Sequence, residues 1–283
     1  FYVYATESTR NVPIMKSKDL VEWTYCNTAF TNKTRPRFEP KAGIWAPDIN
    51  YINGKYVLYY AMSVWGGEQT CGIGVATANS PQGPFTDHGK MFRSNEIGVQ
   101  NSIDPSLLQY EGRNYLVWGS FRGIYVIELT ADGLSIMPGA KKKRIAGTAF
   151  EAVYIHKHGD YYYMFASIGS CCQGVKSTYK VVVGRSKKVW GPYKDKTGKP
   201  MLKNGYSLVI GANDHFVGNG HGSQIIQDDA GQDWLLYHGF SRSTPENGRI
   251  LLLDQIKWDQ EGWPYVEGGS PSYETQKAPV FNN

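Results

Sequence analysis

The chain has 283 residues, a formal net charge of +5, and 20 tyrosines, 8 tryptophans and 11 phenylalanines. A chain of this length can bury a large core, and an all-β protein of this size can be one domain. The only basic run, Lys141–Arg144, predicts a solvated loop and argues against nucleic-acid binding. No run of about 18 apolar residues occurs, so no membrane span is expected.

Strand-like runs alternate with short turns along the whole chain, and no amphipathic helix is evident. The first two strands are expected at Tyr2–Ala5 and Val12–Lys16, and a turn at Ser17–Trp23 leads into a third. Further strands follow in pairs joined by glycine turns. The last two are expected at Ile250–Asp254 and Ile256–Gln260.

One phrase recurs four times, at spacings of roughly 45 to 70 residues. It combines a polar start, an apolar run, a glycine turn and an aromatic strand that ends in serine. Its copies begin near Ala46, Asp104, Glu151 and His221. A second phrase, a glycine–proline turn before an aromatic residue, ends at Phe85 and again at Tyr193.

Four-stranded units at such a period are typical of a β-propeller, in which each unit buries its faces against its neighbours. Residues 1–25 fit the later strands of one further unit. The sequence therefore predicts an all-β fold, a five-bladed β-propeller that forms one domain over residues 1–283. A β-sandwich is the alternative, but a sandwich needs no internal period.

Carboxylates recur at the start of these units. In a propeller the inner strands line a central channel, so the residues that open them are expected at one mouth. Asp104 and Glu151 share a register, ten or eleven residues before the first tyrosine of the next strand, and Asp48 lies two residues further in. Paired carboxylates among aromatic side chains suit glycoside hydrolysis. The alternative is that Asp104 only makes an Asp-Pro turn and Glu151 is a surface residue.

Several motifs resemble those of glycoside hydrolase family 43. The general ones are W-A-P-D at 45–48, I-D-P-S at 103–106 and F-E-A at 150–152. Others look like its endo-arabinanases: G-S-F-R-G-I at 119–124, S-C-C-x-G-x-x-S-T-Y at 170–179, V-G-R-S at 183–186 and G-x-G-H at 218–221. The resemblance covers nearly the whole chain. It implies a five-bladed propeller that hydrolyses α-1,5-linked L-arabinan with inversion of configuration.

The resemblance also implies roles for two acidic residues. Glu151 would be the general acid. Asp104 would be the third acidic residue, which orients the acid and raises its pKa, because a neighbouring negative charge disfavours ionisation.

Substrate and metal contacts follow from the same resemblance. Trp45 and Phe121 would line the sugar subsites, with Asp48 and Ser120 as further substrate-binding residues. His221 would face a metal ion, calcium. A single imidazole is an unusual ligand for a hard cation, and from the residues alone His221 is equally a hydrogen-bonded core residue.

The family's general base is an aspartate that opens the inner strand of the first blade. By repeat register, Tyr2 matches Tyr56 and Tyr161, which places that aspartate about eight to ten positions before Phe1. The sequence opens directly on a strand and shows no signal peptide, so we expect that upstream sequence is not included here. Within the 283 residues, Asp48 is the nearest candidate base.

Four cysteines occur, with no C-x-x-C pair and no regular spacing: Cys26, Cys71, Cys171 and Cys172. Neither a zinc site nor a disulfide framework is indicated. Neighbouring cysteines rarely bond each other, so buried free thiols are expected.

The expected protein is a monomer that is secreted, periplasmic or on the cell surface, and its partner is a polysaccharide, either arabinan or the side chains of pectin. Two alternatives stay open. One is an exo-acting α-L-arabinofuranosidase or β-xylosidase of the same fold. The other is a non-catalytic carbohydrate-binding propeller.

Overall fold

The computed structural model describes residues 1–7 and 9–282. This part of the chain forms five antiparallel sheets and divides into two compact units. The first unit comprises Phe1–Ser17 and Trp23–Arg144, and the second comprises Lys18–Glu22 and Ile145–Asn283. The organisation as one domain stays a prediction.

The first three sheets are each built from strands that follow one another in sequence, and they belong to the first unit except for the end of the last strand of sheet 3. Sheet 1 has three described strands: β1 (Tyr2–Tyr4), β2 (Pro13–Lys16) and β3 (Thr24–Thr28). Sheet 2 has four: β4 (Gly43–Ile52), β5 (Lys55–Ser63), β6 (Gly72–Ala78) and β7 (Thr86–Arg93). Sheet 3 also has four: β8 (Ser106–Tyr110), β9 (Arg113–Trp118), β10 (Ile124–Glu128) and β11 (Lys143–Ala146).

The second unit holds two sheets. Sheet 4 comprises β12 (Glu151–His158), β13 (Tyr161–Ile168), β14 (Lys180–Ser186) and β15 (Ser207–Ile210). Sheet 5 comprises β16 (Phe216–Gly220), β17 (Ile226–Gln227), β18 (Asp233–Ser241), β19 (Arg249–Trp258) and β20 (Pro264–Tyr265). The described helices are short: α1 (Ser94–Ile97) and four 3₁₀ turns at Gly174–Lys176, Met201–Lys203, Pro245–Asn247 and Glu267–Gly269. Within residues 1–7 and 9–282, no helix combines the length and the apolar composition needed to cross a membrane.

Strand β5 shows why one sheet cannot fold alone. Successive side chains of a strand point to opposite faces. Leu58 and Tyr60 are buried in the cluster that includes Ile14 of sheet 1. Tyr59, between them, is buried in the cluster that includes Trp118 of sheet 3. Both faces of the sheet therefore need a neighbouring sheet, and the strand reads as a continuous apolar run.

The glycine–proline turns repeat in structure as well as in sequence. The bonds Gly83–Pro84 and Gly191–Pro192 are both cis. The aromatic residues that follow, Phe85 and Tyr193, are both buried. The glycine–proline turn therefore has the same form in sheet 2 and in sheet 4.

The fold class is confirmed: the chain is all-β, and its five sheets are the blades of a five-bladed β-propeller. The end of the chain differs from expectation. The two predicted strands at Ile250–Asp254 and Ile256–Gln260 are one strand, β19, which pairs with β18 from Ile256 to Arg249. No glycine or proline interrupts this segment, so the ladder continues through it.

Candidate active site

A left-handed residue marks the start of four sheets. These residues are Ala46 (φ 40°), Asp104 (φ 56°), Ala152 (φ 52°) and His221 (φ 53°). In sheets 2, 4 and 5 the ladder shifts its register beside that residue, which is the signature of a β-bulge. The sequence repeat is thus a repeat of one strained backbone shape.

The bulges correct the predicted register of the two carboxylates. By backbone shape Asp104 matches Ala152, and Glu151 matches Ile103. The two acids therefore occupy adjacent positions of the repeat, which differ by one residue. The distance to the first tyrosine of the next strand did not show this offset, because the matched segments differ in length by two residues: Asp104 lies 11 residues before Tyr115, and Ala152 lies 9 residues before Tyr161.

Hydroxyl groups hold two of these bulges. The backbone N–H of Ala46 donates to Oγ1 of Thr6 at 2.9 Å, and that of His221 donates to Oγ of Ser167 at 2.8 Å. Ser167 also faces Glu151 across the ladder of β12 and β13. A left-handed non-glycine residue costs about 1–3 kcal/mol unless its surroundings fix it. Ser167, which ends the third copy of the repeated phrase, therefore helps to fix the left-handed backbone at His221.

Glu151 is buried at the first position of β12, with 8% of its surface exposed. The hydroxyl of Tyr179 donates to its Oε1 at 2.5 Å. Tyr179 is itself 1% exposed and ends the S-T-Y motif before β14. The motif was visible in the sequence, but nothing in the spacing indicated that its tyrosine returns to the acid.

The charge of Glu151 acts on His221. Burial lowers the pKa of His221; the negative charge of Glu151 opposes that shift, and the positive charge of Arg249 adds to it. The ring of His238 lies 6.3 Å from that of His221 between centroids. Burial, then the charge of Arg249, holds the pKa of His238 well below its ordinary value, so this imidazole is neutral.

The surroundings of His221 include buried polar atoms without a hydrogen-bond partner in the described structure. Both ring nitrogens of His238 and Oδ1 of Asn219 are buried without a hydrogen-bond partner in the described structure. His221 belongs to no group of three converging His, Cys, Asp or Glu side chains within residues 1–7 and 9–282. Calcium prefers six to eight oxygen ligands. This donor set does not fit a calcium ion held by protein oxygens.

Asp48 lies two residues beyond the first bulge. Its Oδ2 accepts from Asn50 Nδ2 at 2.7 Å and from the backbone N–H of Leu107 at 2.8 Å. It therefore links β4 to β8, the strand that follows Asp104. Burial raises the pKa of Asp48 to about 6, although both hydrogen bonds oppose the shift. No sequence pattern indicated this elevated pKa.

An aromatic pair lies beside the same bulge. The rings of Trp45 and Trp65 are 5.5 Å apart between centroids, and Trp65 is 78% exposed. Trp45 was predicted as a sugar contact. Trp65 was missed because it lies in a loop after β5, outside the repeated phrase.

Three further predicted residues lie in the segments that flank the strands of sheet 3. Asp104 is 7% exposed, and Ile103 before it accepts from the backbone N–H of Gly119 at 3.0 Å. Ser120 is buried, and its hydroxyl accepts from Asn101 Nδ2 at 3.0 Å. Phe121 is half-buried with a φ of 51°. Their contacts with substrate stay predictions.

The cysteines depart in part from expectation. Cys71 is buried and free, and Cys26 is half-buried and free. The prediction for Cys171 and Cys172 was wrong, because these neighbours form a disulfide and are not buried. Such a bond needs a sharply turned backbone, and the loop between β13 and β14 provides one. It is closed by hydrogen bonds between Ser170 and Thr178.

The buried Glu151 at the start of β12 is a carboxyl group of the kind that glycoside hydrolases use. The family model described as glycosyl hydrolases family 43 matches residues 1–264, and the chain belongs to this family.

Characterised relatives extend over most of the chain. An extracellular exo-α-(1→5)-L-arabinofuranosidase of Cellvibrio japonicus is 36% identical, covering 94% of this chain and 83% of the relative. An extracellular endo-α-(1→5)-L-arabinanase of Bacillus subtilis is 37% identical, covering 90% of this chain and 80% of the relative. The structure is also similar to that of a Cellvibrio cellulosa α-L-arabinanase complexed with arabinohexaose. That comparison has a TM-score of 0.85 and 34% identity, and it covers 95% of this chain and 92% of the other.

Proposed function

We propose that this protein hydrolyses α-1,5-linked L-arabinan as an endo-acting, inverting enzyme. The observation that carries the proposal is the buried Glu151, held by Tyr179 at the start of β12. Membership of family 43 supplies the reaction class. The relatives named for action on (1→5)-linked arabinan supply the substrate class.

Glu151 acts as the general acid in this proposal. The hydroxyl of Tyr179 donates to its Oε1 and so orients the carboxyl group, which carries a proton in its acid form. That proton passes to the glycosidic oxygen as the bond to the anomeric carbon breaks. Water attacks the opposite face of the sugar and gives up its proton to a second carboxylate. That water-activating carboxylate stays a prediction from the sequence.

Asp104 is proposed as a positioning residue that acts through the acid. The support is its burial and its left-handed backbone just before β8, since strained residues cluster at functional sites. Its effect on the proton affinity of Glu151 is an expectation that a pH–rate profile tests.

Trp45 and Trp65 are proposed to bind sugar rings. Aromatic faces supply apolar contact at a small cost in side-chain entropy, and Trp65 is largely exposed. The polysaccharide is proposed to be arabinan, including the side chains of pectin. An extracellular location and a monomeric state are part of the proposal, and the names of the two relatives support the location.

A cation beside His221 stays a prediction, and no proton transfer above depends on it. The buried polar atoms of His238 and Asn219 that have no hydrogen-bond partner favour a cation that keeps its water ligands over a calcium ion bound directly by the protein. Elemental analysis of the purified protein tests this prediction. The His221→Ala variant should lose the bound cation, whereas an equal calcium content in the two proteins would contradict a metal role for His221.

Hydrolysis of linear α-1,5-arabinan tests the proposed function. An endo-acting enzyme should release a mixture of oligosaccharides and lower the viscosity of the solution before much reducing sugar appears. Release of a single short product from the first minutes would support the exo-acting alternative. Binding of arabinan without any new reducing ends would support the carbohydrate-binding alternative and contradict the proposal.

A further inference from the structure

Strand β12 carries two histidines away from the acid at its start. His156 and His158 are two residues apart, so their side chains lie on the same face of the strand. The carboxylate of Asp233, from β18 of sheet 5, meets them there. One ligand atom from each of the three residues lies within 4.8 Å of the others.

The spacing of these groups suits a shared ion better than a direct bond. Nδ1 of His158 lies 3.8 Å from Oδ2 of Asp233, which is too long for a hydrogen bond. Two ligands bound at about 2.0–2.1 Å in a tetrahedral site lie about 3.3 Å apart. The observed separation of 3.8 Å is therefore close to the separation of two ligands that share one ion.

Neighbouring side chains already orient the carboxylate. Gln227 Nε2 donates to Oδ1 of Asp233 at 3.1 Å, and Trp258 Nε1 donates to Oδ2 at 2.7 Å. Outer partners of this kind are what fix the direction of metal ligands. Asp233 keeps only 5% of its side chain exposed, against 38% for His158. One side of the group is thus rigid, and the other is open to solvent.

The ring of His158 is also fixed. It lies flat on the indole of Trp258, with centroids 3.7 Å apart and an angle of 8° between the planes. The ring of His156 is nearly parallel to the same indole, at 6.1 Å and 20°. Trp258 therefore aligns both imidazoles while its N–H holds the carboxylate.

We propose that His156, His158 and Asp233 bind a Zn²⁺-type transition-metal ion between sheets 4 and 5. Two imidazole nitrogens and one carboxylate oxygen are a donor set for zinc, or for nickel or copper, rather than for calcium or magnesium. Three protein ligands leave a fourth position for water. The site shares no residue with the acid or with His221.

The ion would act as a link between two sheets. Its ligands come from β12 and from β18, and β12 begins with Glu151. An ion that binds only the folded protein stabilises it by an amount that grows with the logarithm of the ion concentration above its dissociation constant. Zinc at this site should therefore raise the unfolding temperature without being required for hydrolysis.

Zinc titration of the full chain, freed of purification tags and treated with chelator, tests the proposal. Calorimetry should show that one zinc ion binds per chain. The double variant His156→Gln/His158→Gln should lower that affinity by at least about tenfold and abolish the zinc-dependent rise in unfolding temperature. The matched control is His88→Gln, which removes an exposed histidine of the other unit and should bind zinc as the unchanged protein does.

A crystal of the unchanged protein soaked in zinc gives a second readout that does not depend on the variants folding. An anomalous peak between His156, His158 and Asp233 is expected at the zinc edge. A peak only elsewhere, no peak, or identical titrations of the double variant and the unchanged protein would overturn the site.

Discussion

The start of β12 and the segment before β8 share one backbone shape and use it differently. In the first, the left-handed residue is Ala152 and the carboxylate stands one position earlier, at Glu151. In the second, Asp104 is itself the left-handed residue. A bulge changes the direction in which a nearby side chain points. An offset of one residue is therefore enough for a repeated framework to present two acids in two orientations.

This comparison separates what the repeat supplies from what single residues add. The repeat supplies the bulge and, in two of the sheets, a hydroxyl that accepts from the left-handed residue's N–H. The chemistry comes from the side chain placed on or beside it: an alanine at 46, aspartate at 104, glutamate at 151 and histidine at 221. Substitutions at these positions should change activity more than they change the fold.

The largest effect is expected for Glu151→Gln. Glutamine keeps the size and can still accept from Tyr179, but it has no proton to give, so turnover of arabinan should fall by about 100-fold or more. Substrates with a good leaving group need less protonation and should be rescued in part. Steady-state kinetics on both substrates measure this, with the exposed Glu267→Gln as control. Near-normal hydrolysis of arabinan by Glu151→Gln would rule out its role as the acid.

A smaller effect is expected for Asp104→Asn, which keeps the shape of the Asp-Pro turn and removes its charge. A nearby negative charge disfavours ionisation of the acid, so its loss should move the basic limb of the pH–rate profile downward. A displacement of one pH unit corresponds to roughly tenfold in rate on that limb. An unchanged profile with an unchanged rate would reduce Asp104 to a turn residue.

The sequence predicts the repeated framework better than it predicts the positions of the acids within it. The period of the repeat depends on hydrophobic pattern and turn chemistry, which local sequence records, and so the propeller was predictable. The one-residue offset between Asp104 and Glu151 was not, because it depends on where each bulge falls. Trp65 and Tyr179 were missed for a related reason: both lie outside the strands, and their positions follow from how the loops fold back.

Tyr179→Phe should sharpen the comparison by acting in the opposite direction to Asp104→Asn. Its hydroxyl donates to Glu151, and a donor favours the charged form of a carboxylate. Its removal should move the basic limb upward while turnover falls about two- to tenfold, the range for one hydrogen bond. A pH–rate profile measured beside that of Asp104→Asn decides the matter. Displacement of both profiles in the same direction would contradict the assignment of distinct roles.

The last effect, on stability, is expected for Asp48→Asn. Burial raises the pKa of Asp48 from its ordinary 3.8 to about 6. The folded protein therefore holds this proton more tightly than the unfolded chain does. Below about pH 4 both states are protonated and Asp48 costs nothing; as the pH rises from 3.8 through 6, the unfolded chain ionises first and stability is lost.

Asparagine has no charge to bury and can still accept from the backbone N–H of Leu107. The variant should match the unchanged protein near pH 4 and exceed its free energy of unfolding by on the order of 2 kcal/mol at pH 7. Urea unfolding at the two pH values measures the difference. A variant that is less stable at pH 7, or whose advantage does not change with pH, would show that Asp48 is not held in a costly charged form. If the variant gains stability only at the higher pH, the protein keeps the Asp48 carboxylate at a cost in stability. Asp48 would then resemble the acids at Asp104 and Glu151, since a functional site is where a protein tolerates lost stability.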